Sequence, residues 1–238
     1  MATHAITIGT PQTGTGSLSI PMPAGSLVGT LLLIYAGHRN FAGAVLSAAP
    51  DGSWVEMAFT QPSTNKNSYL WGKIGTASES TQAVTFAGTA GRLGWSLAIT
   101  SSTGWPVIDQ VSAGYTGSNS GSSLNLRFGA RTISTIGNLL LQLGSRATIA
   151  CTAASITPTS TWTAAGFANQ SSGAGNNTVG AGQIYLPTSS SSIAENSVTI
   201  TDNTDSGATR GITIELRPAC QVLPAKPYIG KRLNLQRM

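Results

Sequence analysis

Val28–Gly37, VGTLLLIYAG, and Ile136–Gly144, IGNLLLQLG, carry the reading of this chain. Each has a glycine, one polar residue and three consecutive leucines, and the two match at a spacing of 108 residues: Gly29 with Gly137, and Leu31, Leu32 and Leu33 with Leu139, Leu140 and Leu141. The apolar run is too continuous for a strand with one wet face and too short for a membrane span. Gly137 and Gly144 bracket the second copy too closely for a helix, so both runs are expected to be central β-strands.

The match extends in both directions. Pro50 and Trp54 in APDGSWVEM recur at the same spacing as Pro158 and Trp162 in ITPTSTWTAA. Upstream, GSLSIPMPAG resembles SSLNLRFGAR; downstream, GTASESTQAVTF resembles PTSSSSIAENSVTI, and GRLGWSLAITSS resembles GATRGITIELRP. Features in the same order at one spacing indicate an internal repeat. The boundary falls near Val107–Ala113, which gives a first unit over 1–107, a second over 108–217, and a third segment over 218–238.

Short apolar or alternating runs between turn signals predict strands. In the first unit they are Ser17–Ile20, Val28–Ala36, Trp54–Thr60, Ser68–Ile74, Ala83–Phe86 and Trp95–Thr100, with His4 in an N-terminal strand. In the second they are Ser123–Arg127, Ile136–Gly144, Thr161–Ala165, Gly180–Leu186, Ser197–Thr201 and Gly211–Leu216. Asn169–Gly182 reads as a flexible exposed loop, and Thr116–Ser123 as a hairpin tip or joint. The expected fold is all-β: two tandem, duplicated antiparallel sandwich or jelly-roll-like units followed by an extended arm.

Only 9% of the 238 residues are charged while 40% are hydrophobic, which allows a core but leaves a surface poor in Lys and Glu. Such a surface suits extensive contact with other chains, and homo-oligomerisation is expected. Of 13 basic residues, five (Arg217, Lys226, Lys231, Arg232 and Arg237) lie in the last 22, which hold no acid; the remaining 8 are balanced by 8 acids. The basic pI therefore belongs to the C-terminal segment, and the body has no net positive charge with which to grip nucleic acid. The arm has Pro218, Pro224 and Pro227 interleaved with apolar residues. Lys226, Tyr228, Ile229, Lys231, Arg232, Leu233, Leu235 and Arg237 read as a partner-binding strip that lies on another surface. No signal peptide or membrane segment is read, so synthesis in a cytoplasm is expected, and Cys151 and Cys220 neither require a disulfide nor make a zinc site.

Catalytic chemistry finds little support. A triad around His38 lacks a nucleophile elbow, and the repeat replaces His38 by Arg146. Asp51 and Glu56 flank Trp54 as in a sugar-cleaving site, but Thr159 and Ala164 stand in their place in the second unit. Asp202, Asn203 and Asp205 read as a turn and not as a calcium loop. No cofactor is expected. Gly29, Pro50, Trp54, Gly137, Pro158 and Trp162 are therefore expected to define the fold, with the tryptophans closing the cores; exposed indoles for stacking on carbohydrate are the competing reading.

Pro23, Gly25, Gly29 and Leu31–Leu33, then Pro50, Gly52 and Trp54, then the hairpin from Trp71 to Phe86, resemble a diffuse family of tailed-bacteriophage virion proteins. Thr30 departs from the acidic residue usual in that pattern. The resemblance implies a jelly-roll-like sandwich on the particle: a head decoration or cement protein, a head-fibre base or a minor tail protein. Its partners would be the major capsid protein or other virion proteins, and its location the virion. It implies no catalytic residue, so a non-enzymatic structural role is expected, with a carbohydrate- or receptor-binding module of a phage tail as the alternative.

Overall fold

The computed structural model describes residues 4–25, 28–38, 46–60, 68–76, 79–87, 91–102, 106–119, 124–134, 137–148, 156–157, 162–170, 177–185, 192–200 and 207–217. These residues form antiparallel sheets with no helix among them, hence none able to cross a membrane. The strands of the first half are β1 (His4–Ile8), β2 (Gln12–Gly14), β3 (Leu18–Ile20), β4 (Leu31–His38), β5 (Leu46–Ala48), β6 (Val55–Thr60), β7 (Ser68–Ile74), β8 (Gln82–Phe86) and β9 (Arg92–Ser101). Those of the second are β10 (Val107–Asn119), β11 (Leu124–Phe128), β12 (Arg131–Thr132), β13 (Leu139–Thr148), β14 (Ile156–Thr157), β15 (Thr163–Gln170), β16 (Asn177–Tyr185), β17 (Ser192–Ile193), β18 (Asn196–Ile200) and β19 (Gly207–Arg217).

Two large sheets dominate. One runs β1-β9-β4-β7-β6, with β2 also on β9, and the other runs β10-β19-β13-β16-β15. Two small sheets, β3-β8-β5 and β11-β18-β14, and the β12-β17 pair complete the set. Each leucine run is the middle strand of a large sheet. Leu31 faces Ile99 on one side and Ile74 on the other, and Leu139 faces Leu216 in the second half.

The leucine runs lack alternation because both faces of their sheets are covered. Leu31, Leu33 and Tyr35 point into a core shared with Leu139, Leu141 and Leu143; Leu97, Ile99, Ile214 and Leu216 fill the same core. The two large sheets thus meet face to face and share this core, while each half keeps a further buried cluster on its outer side. Leu32, Ile34 and Ala36 point the other way, toward Leu18, Ile20, Val84 and Phe86 of the small sheet. All eight residues of β4 are buried as a result. Burying one such side chain contributes about 1.5–3 kcal/mol.

A polar seam crosses the shared core. Tyr35 donates to Ser68 Oγ at 3.0 Å, and Ser68 Oγ lies 2.8 Å from Ser145 Oγ in the other half. Gly37 allows this approach, since a Cβ there would lie 2.5 Å from Ser145 Oγ.

All twelve strands expected from sequence are present, several of them longer. Two expectations are corrected. Within Asn169–Gly182, Asn169–Gln170 and Asn177–Gly182 are paired strand, with Asn169 facing Val179 and Gln170 facing Thr178, while 171–176 lie outside the described residues. Backbone pairing holds these small polar residues even though they supply no apolar pattern. Thr116–Asn119 likewise continue β10, opposite Gly207–Arg210 of β19. β10 begins at Val107, inside the expected boundary. The arm, Trp105, Cys151, Pro158, Cys220 and the Asp202–Asp205 turn lie outside the described residues.

Candidate functional site

Of the repeated positions, the described ones, Gly29, Pro50, Trp54, Gly137 and Trp162, sit at turns or are buried. Gly29 and Gly137 both have positive φ, 71° and 94°, a conformation that costs a side-chain-bearing residue. They turn the chain into β4 and β13. Pro50 is buried, and the Asp51–Trp54 turn closes with Trp54 N–H donating to Asp51 O at 3.0 Å. Ser53 donates from both its amide and its hydroxyl to the Asp51 carboxylate, and these bonds hold the Asp51 carboxyl below its usual range.

Trp54 is 8% exposed and Trp162 9%, and Trp162 packs 5.1 Å from the Tyr185 ring. Neither indole offers a face on which a sugar ring could stack. Lys73 Nζ sits 5.1 Å above the Trp54 ring, 2.6 Å from Glu79 and 3.1 Å from Ser53 Oγ. Burial pushes the Glu79 carboxyl up, but bonds from Lys73 and Thr76 outweigh it and hold the carboxyl low. Glu56 is exposed and faces Trp71 across the β6–β7 pairing. His38 is buried with its ring 4.5 Å from Phe86, so it lines the first core.

The densest polar chemistry lies elsewhere, where β10, β13 and β19 meet. Glu215 on β19 is fully buried. Its Oε1 accepts from Ser134 N–H, Ser134 Oγ and Asn138 Nδ2, each at 2.8 Å. Its Oε2 lies 3.3 Å from Arg131 Nη2. Arg131 also donates to Gln110 Oε1 at 2.8 Å, Ser112 Oγ at 3.0 Å and Thr213 O at 3.4 Å. Asp109 accepts from Ser134 Oγ and Asn138 Nδ2, and pairs with Arg217 through Nε at 2.7 Å and Nη2 at 2.5 Å. The bonds from Arg217 and then Ser134 hold the Asp109 carboxyl below its ordinary value.

Arg217 is the last residue of β19, and its carbonyl accepts from His4 Nε2 at 2.8 Å. Burial lowers the His4 pKa, opposed by its bonds to the Arg217 and Thr100 carbonyls. Arg217, where the described part of β19 ends, is therefore held from β1 and β10 together.

Two carboxylates and two guanidiniums here neutralise one another, while Arg131 Nε and Asn138 Oδ1 are buried without a hydrogen-bond partner among the described residues. Ser134 Oγ touches two acids, but its one proton is shared between them, and among the described residues no histidine bonds to it. A depression of about 470 Å³ lined by Ala130, Arg131, Thr132, Ser192, Ile193 and Ala194 opens beside it. Among the described residues no three His, Cys, Asp or Glu side chains converge to hold a metal.

Sequence reasoning missed this cluster. A signal was present: Glu215 sits inside the alternating run GITIEL, on the side opposite Ile212, Ile214 and Leu216, where the first half has Ala98. An acid there in a charge-poor chain needs a buried partner. Comparison with known proteins finds no match, neither to a family, nor to a curated protein, nor to a solved structure.

Proposed function

We propose that this chain is a non-enzymatic structural protein of a tailed-phage virion, made of two tandem jelly-roll-like units and a C-terminal arm that anchors it to neighbouring subunits of the head or tail. The two-unit reading is supported by strand order. Counting along each half, β1-β9-β4-β7-β6 and β3-β8-β5 have the same order as β10-β19-β13-β16-β15 and β11-β18-β14. Gly37 and Ser145, which touch across the shared core, are 108 residues apart, as equivalent positions about a local two-fold would be.

The structural role rests chiefly on where the buried polar chemistry lies. Asp109, Arg131, Asn138, Glu215 and Arg217 bond within one cluster that ends at Arg217, just before the arm, and only Arg131 of the five lines the neighbouring depression. Such a cluster fixes the direction in which a load-bearing segment leaves the body. The segment that follows is basic, proline-spaced and dotted with apolar residues, as expected of a strip that orders on a partner surface. Deleting 221–238 should leave a folded body, by circular dichroism, that no longer joins particles. Normal incorporation of the truncated chain would end the anchoring reading.

A further inference from the structure

We propose that His4 is an acid-released latch: its neutral imidazole holds the carbonyl of Arg217 across the corner where the two halves join, and uptake of a proton drives the ring off that carbonyl and loosens the end of β19. The inference does not depend on what the segment 218–238 binds.

Position makes His4 a junction. It is the first residue of β1 and faces Ser101, the last residue of β9. Val107, the first residue of β10, faces Arg217, the last residue of β19. Residues 102–106 join β9 to β10, so these two end pairs flank the passage from the first half to the second. One side chain spans them: His4 Nε2 lies 2.8 Å from the Arg217 carbonyl oxygen.

A carbonyl only accepts, so Nε2 carries the ring proton and Nδ1 is left with its lone pair. Nδ1 is buried without a hydrogen-bond partner, and so is the hydroxyl of Ser101 opposite. A proton arriving at Nδ1 therefore puts a positive charge into a half-buried site. No carboxylate among the strands that meet here is left to receive it. β1 has no other charged residue, and the charged residue of β9 is Arg92, at its far end. Asp109 of β10 is held by the Arg217 guanidinium and by Ser134 and Asn138. On β19, Glu215 is bonded to Arg131, Ser134 and Asn138, and Arg217 is itself a cation. Tyr115 and Arg210 lie well along β10 and β19, near the Tyr115–Gly211 pair.

Burial disfavours the charged ring and outweighs the pull of the Arg217 and Thr100 carbonyls, so the His4 pKa is lowered. The folded state then binds this proton less readily than the unfolded chain. The contribution of the latch is complete above the ordinary histidine value of about 6.5 and is lost as pH falls through the lowered one. His4 stands at the end of β1, partly exposed and outside the shared core, so the imidazolium can move to water while that core stays closed.

Hydrogen–deuterium exchange of the full-length chain tests this at about pH 7.5 and about pH 5, either side of the ordinary histidine range, with rates corrected for the intrinsic effect of pH. Protection of the β19 amides at 212–217 should fall several-fold at the lower pH, while the paired amides of β13 and β16 keep theirs. His4→Gln retains an N–H able to reach the Arg217 carbonyl and has no proton to gain, so its protection should be the same at both pH values. His4→Ala should lose protection at both. Equal protection of the native chain at the two pH values, an equal fall in β13 and β16, or a fall that survives His4→Gln overturns the proposal. A second measurement needs no variant. The chain has two histidines, and one imidazole resonance of the native protein should titrate below about 6.5, with the same midpoint as the loss of protection. Two rings that both titrate near the ordinary value, or a titration that leaves β19 protected, also overturn it.

Discussion

The outer faces of β4 and β13 occupy equivalent places and are stabilised in opposite ways. On β4 and β9 the residues facing the small sheet include Leu32, Ile34, Ala36 and Ala98, an apolar surface closed by Trp54, Trp71 and Phe86. On β13 and β19 the corresponding face carries Asn138, Leu140, Gln142, Thr213 and Glu215, all buried. The inner faces, by contrast, match position for position: Leu31, Leu33 and Tyr35 against Leu139, Leu141 and Leu143. The surface at which the halves meet is apolar, while the outer face of the second half is tied together by hydrogen bonds around Glu215. A hydrogen-bonded interior is less forgiving than an apolar one, because removing one partner strands another.

That contrast can be broken most sharply at Glu215. Glu215→Ala leaves the Arg131 guanidinium buried without its carboxylate and should cost about 3–5 kcal/mol in chemical denaturation. Ala98→Ser, a polar change at the matching place in the first half, should cost far less. Comparable losses at the two positions would mean the network contributes no more than ordinary packing.

The shared core predicts the reverse, equality. Leu33→Ala and Leu141→Ala should each cost about 2–5 kcal/mol and lower a single unfolding transition followed by tryptophan fluorescence. Two separate transitions, with each variant moving only one, would show that the halves fold independently. The turn glycines should also behave as a pair, at smaller cost: Gly29→Ala and Gly137→Ala are each expected to lose about 1–2 kcal/mol, because both hold positive φ.

The smallest effect is confined to acid. The Asp109 carboxyl is held below its ordinary value by Arg217 and Ser134, so the folded state binds its proton less readily than the unfolded chain. Its contribution is present above the ordinary carboxylate pKa and is lost as pH falls through the lowered one. Asp109→Asn should therefore flatten stability against pH below about pH 4, the ordinary carboxylate range, and leave its shape near pH 7 unchanged. An unchanged acid limb would show that Asp109 makes no pH-dependent contribution.

Much of the fold was legible because its signals are local. The positive-φ glycines, the Pro50–Trp54 turn and the alternating strands follow from backbone sterics and from burial of every second residue. The β15–β16 pairing over Asn169–Gln170 and Asn177–Val179 was not legible, because its stability comes from a ladder and not from any pattern in those polar residues. Of the candidate site, Trp54 and Trp162 were expected to close cores and both are buried. The Asp109–Glu215 cluster escaped notice because Arg131 and Ser134 lie more than eighty residues from Glu215, and no spacing rule joins them.

By itself the sequence determined that this chain is built of β-strands with two matching leucine runs at their centre, because strand propensity, turn chemistry and periodicity act over a few residues. Only the tertiary structure decided that those runs face each other in one core, since a continuous apolar strand says that both its faces are covered but not by what. Only the tertiary structure, too, brought Glu215 to Arg131 and Arg217 to Asp109 and His4. Pairing of buried charges depends on which distant strands become neighbours, and the sheet order sets that.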